Sequence, residues 1–250
     1  MDSSGRLILM AVHAHPDDET ISMGGTLANY AAAHSSTTDT YVVTGTRGEL
    51  GEIVIPEWDT PEAHERLGET RMGEIAAAMA ALGVTHFENL GFRDSGMVGD
   101  PGNEDPRCYH QHSTNDLDGT AEHLVRIIRR VQPDVIATYD DFGGYGHPDH
   151  IQAHRVTHYA VALAASRTFR ADLGPAWDVS KVYWTAFPRS IVREGIERMR
   201  AAGETTGFAE MDPDDIPFAC DDELVTTTIE ATDFLDSKMA ALRAHGTQVS

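Results

Sequence analysis

Leu7-Ile8-Leu9-Met10-Ala11-Val12 runs without a break into His13-Ala14-His15-Pro16-Asp17-Asp18-Glu19-Thr20, and this stretch sets the architecture of the chain. A short continuous apolar run bounded by polar residues is what a strand buried on both faces requires. Downstream, Met23-Gly24-Gly25-Thr26-Leu27-Ala28 reads as a helix whose small residues allow close packing on a sheet. The polar segment between them therefore lies on a strand-to-helix loop. In open α/β sheets ligands bind where such loops converge, at the carboxyl ends of the strands.

The same alternation continues outward. Strands are expected at Leu7 to Ala14, Thr40 to Thr44, Thr85 to Leu90, Val135 to Tyr139, Lys181 to Thr185 and Leu224 to Ala231. Helices are expected at Thr20 to Ala33, Pro61 to Leu82 with Gly83 as C-cap, Gly119 to Val131, Asp149 to Ala165, Ile191 to Ala201 and Asp233 to His245. Gly91 to Asp118 reads as a long loop whose first part covers a substrate, and Gly203 to Asp222 as an acidic surface loop or a lid. The expected fold is α/β, a Rossmann-like three-layer sandwich with a mostly parallel sheet, formed as one domain over residues 1–250.

Two clusters carry the chemistry. A catalytic zinc site needs three protein ligands of imidazole or carboxylate type and one open position. His15, Asp18 and, far downstream in Gly146-His147-Pro148-Asp149-His150, the last histidine could supply them. Pro16 stiffens the turn between the first two. Asp17 is left as a spare carboxylate beside a metal-acidified water, a candidate general base. His147 offers an imidazole near a developing oxyanion, with Asp149 close enough in sequence to orient it. Alone, either cluster could be a surface turn with solvated acids. Together, each following an apolar strand and each holding metal-ligand types, they point to one site. His110 and His112 share a loop without evident co-ligands and read as solvated, while His154 and His158 read as packing residues behind His150.

Ala14-His15-Pro16-Asp17-Asp18-Glu19 with His147-Pro148-Asp149-His150 resembles the LmbE-like (PIG-L) family of zinc-dependent N-deacetylases. Thr46-Arg47-Gly48-Glu49, Gly51-Glu52, Arg93-Asp94-Ser95-Gly96-Met97, Gly143-Gly144-Tyr145-Gly146 and Ala241-Leu242-Arg243-Ala244-His245 are similar to its mycothiol branch. The resemblance implies the LmbE-like fold, with His15, Asp18 and His150 as zinc ligands (ferrous iron also suits this donor set) and Asp17 as base. It implies that His147, oriented by Asp149, assists the tetrahedral intermediate or the leaving amine, and that a mobile Tyr145 polarises the amide carbonyl. Arg47 and Asp94 match positions that contact sugar or inositol hydroxyls. The implied reaction is hydrolysis of an N-acetylglucosamine conjugate, foremost N-acetylglucosaminyl-inositol, to acetate and a free amine. Its alternatives are the mycothiol S-conjugate amidase, a deacetylase of another N-acetylated glycoconjugate, and, in a different class, a non-catalytic metal or sugar-binding protein. Binding alone needs no spare base, so Asp17 argues against the last. Members of that branch usually continue past the segment matching Leu242 to Val249, whereas this sequence ends at Ser250.

Composition bounds the partners. Apolar residues at 41% and charged residues at 24% are those of an ordinary globular chain. A net charge of −21, from 19 basic and 40 acidic residues, repels phosphate backbones and anionic membranes. The resemblance implies a small aminosugar as the partner, the charge argues against nucleic acid and membrane, and the oligomeric state is left open. Cys108 and Cys220 form no pair motif and read as free thiols. The first apolar run is a strand rather than a secretory signal, so the expected location is the cytoplasm.

Overall fold

The computed structural model describes residues 5–249. The elements run β1 (Leu7–His13), α1 (Asp18–Ala32), β2 (Thr38–Thr46), α2 (Pro61–Glu65), α3 (Leu67–Leu82), β3 (His86–Phe92), α4 (Tyr109–Asn115), α5 (Leu117–Val131), β4 (Val135–Thr138), α6 (Gly143–Gly146), α7 (Pro148–Ala165), β5 (Lys181–Trp184), α8 (Arg189–Ala201) and α9 (Leu235–Ala244). The strands form one sheet in the order β3-β2-β1-β4-β5. Every pairing in it is parallel.

β1 owes its central place to the apolar run that opens the chain: Met10, Ala11 and Val12 have no exposure. Its side chains alternate between two cores. Ile8, Met10 and Val12 join Tyr41, Val43 and Ile136 beneath α5 and α7, whereas Ala11 joins Val42 and Ala137 beneath α1, α3 and α9. Helices thus cover both faces, as a parallel sheet requires. After β3 the chain crosses back and places β4 on the other side of β1. That reversal opens a crevice at the carboxyl ends of β1 and β4, where the loops leaving His13 and Thr138 meet.

Several boundaries differ from the sequence expectation. The helix expected over Pro61 to Leu82 breaks at Arg66 (φ −110°, ψ 4°) into α2 and α3, and Gly83 caps α3 at φ 74° as expected. The loop expected over Gly91 to Asp118 contains a 3-10 turn (Pro101–Glu104) and α4, which starts where the Cys108 sulfur accepts the Gln111 N–H. Residues 224–231, expected as a strand, pair with no strand among the described residues; their end meets α1, where Asn29 donates to the Glu230 carbonyl at 2.7 Å. Their β-branched alternation fits a half-buried surface, and the helix beside them offers no ladder to join.

Candidate metal centre

Each expected ligand is delivered by one of the two crevice loops. His15 follows β1, Asp18 opens α1, and His150 lies in the first turn of α7. His15 Nδ1 lies 3.2 Å from His150 Nε2, and Asp18 Oδ2 lies 3.3 Å from each of them. Ligands held about 2.0 to 2.1 Å from a tetrahedral ion are separated by about 3.3 to 3.4 Å. The three atoms therefore form one face of such a tetrahedron.

The hydrogen bonds behind the rings show which atoms face inward. His150 Nδ1 is 3.0 Å from the Gly143 carbonyl, so the proton sits there and Nε2 keeps its lone pair. His15 Nε2 is 3.3 Å from Asp149 Oδ2 and 3.5 Å from Asp94 Oδ1, which assigns its proton to Nε2 and its lone pair to Nδ1. Two lone pairs and a carboxylate oxygen thus converge at distances where they repel one another. A cation is the ligand that turns this arrangement from costly to favourable.

Other combinations of His15 with His147 and His150, or with Asp94 and Asp149, also lie close enough to hold an ion. The acidic pair suits this poorly, because its oxygens are already committed. Asp149 accepts the N–H groups of Ser95 and His110, each at 2.9 Å, and Asp94 accepts those of Leu50 and Gly96 at 3.0 and 2.9 Å. Burial opposes charge on Asp94, but His15 and these amides hold its carboxyl well below the usual range.

Asp17 lies outside the triangle in a backbone conformation that is unusual for a residue other than glycine, φ 108°. Its carboxylate is 3.2 Å from the Arg71 guanidinium, and its N–H donates to Glu19 Oε2 at 3.1 Å. Burial and the neighbouring Asp18 charge raise its pKa to about 7, against the opposing pull of Arg71. Arg71 is itself buried and also donates to the carbonyls of Gly48 and Pro16.

His147 caps α7, its Nδ1 accepting the Asp149 N–H at 3.1 Å, so the neutral ring carries its proton on Nε2. Its ring centroid lies 4.6 Å from that of His15. Burial, reinforced by any positive charge at the neighbouring His15 and His150 positions, lowers its pKa to about 3. The expected pairing of the Asp149 carboxylate with His147 is not formed. Asp149 holds His147 through its main chain and turns its carboxylate on His15.

Tyr145 is half exposed, edge-on to His150 with centroids 4.9 Å apart, between Gly144 (φ 72°) and Gly146 (φ 90°). Positive φ at both flanks suits glycine. Partial burial and the Asp18 charge push its hydroxyl up to about 12, so it stays a neutral donor.

A pocket of about 280 Å³ opens onto this centre, lined by His15, Asp17, Asp18, Arg71, Asp94 and Tyr145 and walled by Leu50 to Glu52, Val54 and Gln248. Arg47 is not among the lining residues; it is half exposed, with Nε 3.4 Å from Glu49 Oε1. A larger groove of about 580 Å³ beside α8 lies away from the centre, and its charges answer one another, as in Arg189 with Asp221 at 3.6 Å. His110 and His112 do not join the centre: His112 bonds Thr120 at 2.7 Å, and His110 meets Asp149 through its main chain. His154 backs the crevice, bonding the Tyr139 carbonyl at 3.0 Å.

Arg71 was not among the residues singled out from sequence. Its signal is an arginine on the buried stripe Leu67, Arg71, Ile75, Ala78 and Leu82 of α3, where an apolar residue belongs. Glu19 was likewise read only as part of a motif, yet it is fully buried.

The sequence model of the family described as "PIG-L: GlcNAc-PI de-N-acetylase" matches residues 10–161. The chain is 49% identical to the 1D-myo-inositol 2-acetamido-2-deoxy-alpha-D-glucopyranoside deacetylase of Geodermatophilus obscurus, over all of this chain and 85% of that protein. Among solved structures it resembles the N,N'-diacetylchitobiose deacetylase of Pyrococcus horikoshii (TM-score 0.64, 20% identity, 97% of this chain and 71% of that one). It equally resembles the 4-carboxy-2-hydroxymuconate hydratase GalB of Pseudomonas putida (TM-score 0.62, 20% identity, 95% and 78%). These two structures share the fold while differing in reaction, so the fold alone does not assign one.

Proposed function

As a member of the GlcNAc-PI de-N-acetylase family, the chain is a deacetylase, and we propose that it removes the acetyl group from N-acetylglucosaminyl-inositol in mycothiol biosynthesis, using zinc in the cytoplasm. The observation that carries the metal-dependent reading is the triangle of His15 Nδ1, Asp18 Oδ2 and His150 Nε2, with edges of 3.2 to 3.3 Å and a spare carboxylate alongside. The relative from Geodermatophilus supplies the substrate. Among the described residues no helix is long and apolar enough to cross a membrane.

Zinc held by the triangle would acidify a water from a pKa of 15.7 to about 7 and polarise the acetamide carbonyl. Asp17 is the base that takes the proton of the attacking water. Arg71, on its carboxylate, fixes the direction from which that proton is received. Tyr145 Oη–H and His147 Nε2–H donate to the oxygen on which charge develops. His147 acts as a neutral donor, because burial and its histidine neighbours disfavour its cation. The proton that the departing sugar amine needs then comes from Asp17, which has just acquired one. Asp94 and the walls at Glu52 and Gln248 face the sugar and inositol, and Arg47 meets them only if a substrate extends beyond the pocket.

Release of acetate and free amine from N-acetylglucosaminyl-inositol and from a mycothiol S-conjugate, compared in zinc-loaded and chelated protein, tests this. Chelator-sensitive acetate release from the first is the expected result. Preferred cleavage of the second would make the protein the amidase, and silence on both with zinc bound would remove the mycothiol assignment.

A further inference from the structure

Glu19 and His245 come from opposite ends of the chain and meet with no exposure on either side chain. Glu19 stands in the first turn of α1, where an acid ordinarily faces solvent and complements the helix dipole. Here it turns back. Its Oε2 accepts the Asp17 N–H at 3.1 Å, and its Oε1 accepts the Thr20 hydroxyl at 2.7 Å. His245, the residue that ends α9, places Nε2 3.3 Å from Glu19 Oε1 and 3.4 Å from Thr20 Oγ1. Nδ1 of the same ring is buried without a partner among the described residues. A buried N–H without an acceptor costs more than a bare lone pair, so the proton belongs on Nε2, where it reaches the Glu19 carboxylate.

A buried carboxylate is costly unless its oxygens are satisfied. All the partners of this one converge on a single task, because the amide it grips belongs to the residue with φ 108°. We infer that Glu19 and His245 form a buried brace that holds the Asp17 backbone in its left-handed conformation, making His245 a positioning residue for the base. The brace rests on the assignment of Asp17 as base. His245 lies beyond the span matched by the family model, so the last helix contributes to a centre whose other parts stand on α1, α3, α7 and the loops after β1 and β4. α9 reaches it by packing against α1 and α3.

The test compares His245→Ala, His245→Gln and Thr20→Val in zinc-loaded protein. A base displaced by about 1 Å costs about 10²-fold, so H245A is expected to lower kcat by about 10- to 100-fold while KM and zinc affinity, measured by chelator competition, stay within about twofold. H245Q, which can still donate to Glu19, is expected to restore most of the loss. Amide hydrogen exchange in a peptide spanning residues 14–20 should accelerate in H245A and T20V and recover in H245Q, independently of any substrate. Unchanged kcat in folded H245A would overturn the brace, as would unchanged exchange in that peptide. So would a parallel fall in kcat, KM performance and zinc affinity that glutamine does not rescue, which marks plain packing. If H245A does not fold, T20V decides, since it removes one hydroxyl at constant shape; exchange like that of the unaltered protein would refute the brace. Failure of the unaltered protein to release acetate would count against the deacetylase assignment alone, leaving the exchange result to judge the brace.

Discussion

Asp149→Asn probes how the chain prepares His15 to bind a metal. Three N–H groups face the two Asp149 oxygens: His110 N at 2.9 Å on Oδ1, with Ser95 N at 2.9 Å and His15 Nε2 at 3.3 Å on Oδ2. An asparagine has one carbonyl oxygen for these two places. With its oxygen toward Ser95 and His15, the imidazole keeps its tautomer, but the His110 N–H faces an NH₂ group. With the oxygen toward His110, the NH₂ faces His15 Nε2 and drives the imidazole proton to Nδ1, the atom that would bind the ion. Either choice strands at least one buried N–H, at about 1 to 3 kcal/mol, and loses a charge-assisted bond besides, so stability should fall by about 2 to 4 kcal/mol. Asp94 remains 3.5 Å from the same nitrogen and preserves part of the preference. The expected loss of zinc affinity is therefore about 10- to 100-fold, the usual effect of removing such a partner, or about 1.4 to 2.7 kcal/mol. Competition with a chromophoric chelator reads the affinity, and urea unfolding of the chelated protein reads the stability. A variant that loses stability while binding zinc as tightly as the original would show that Asp149 only anchors backbone and that the His15 tautomer is set elsewhere.

Replacing Asp17 with Asn should leave zinc bound and lower kcat by about 10² to 10⁴-fold, measured as acetate release; retention of most of the rate would remove Asp17 from its role. Arg71→Met deletes the charge that holds the Asp17 carboxyl down, so its pKa should rise and the acidic limb of the kcat/KM profile should move to higher pH. Activity near about pH 6 should then suffer more than activity near about pH 8, and a downward or absent shift contradicts the pairing. Gly45→Ala places a Cβ 2.6 Å from the buried Tyr109 ring, which should cost about 1 to 3 kcal/mol in urea unfolding; an unaffected midpoint would mean that the ring has room to retreat.

The β1 loop could be read from the sequence because the apolar run and the polar cluster are contiguous, so strand, loop and helix start follow from neighbouring residues. The His147–Asp149 pairing failed for a local reason. Residues two apart at a helix start do not present side chains to each other, and the cap instead takes the N–H of the second helical residue. Arg71 and His245 depend on where α3 and α9 dock, and only the misplaced polarity of Arg71 on an apolar stripe hinted at its task. The strand expected over Leu224 to Ala231 shows the converse limit, since alternation announces a surface to be half covered without saying what covers it.

The strand order has a bearing on how the protein matures. His15 and His150 are separated by 135 positions in the chain, yet they stand on neighbouring loops because β4 returns to lie beside β1. During synthesis, His15 and Asp18 are exposed to the cell's metal ions long before the third donor exists, and two donors on a flexible segment hold an ion weakly. At the proposed centre tight capture would begin only when β4 has docked on β1, so metal loading would report the β1–β4 pairing, and the free energy of capture would help close the seam between those two strands. Metal starvation should therefore loosen the β1–β4 seam before the pairings of β1 with β2 and of β4 with β5.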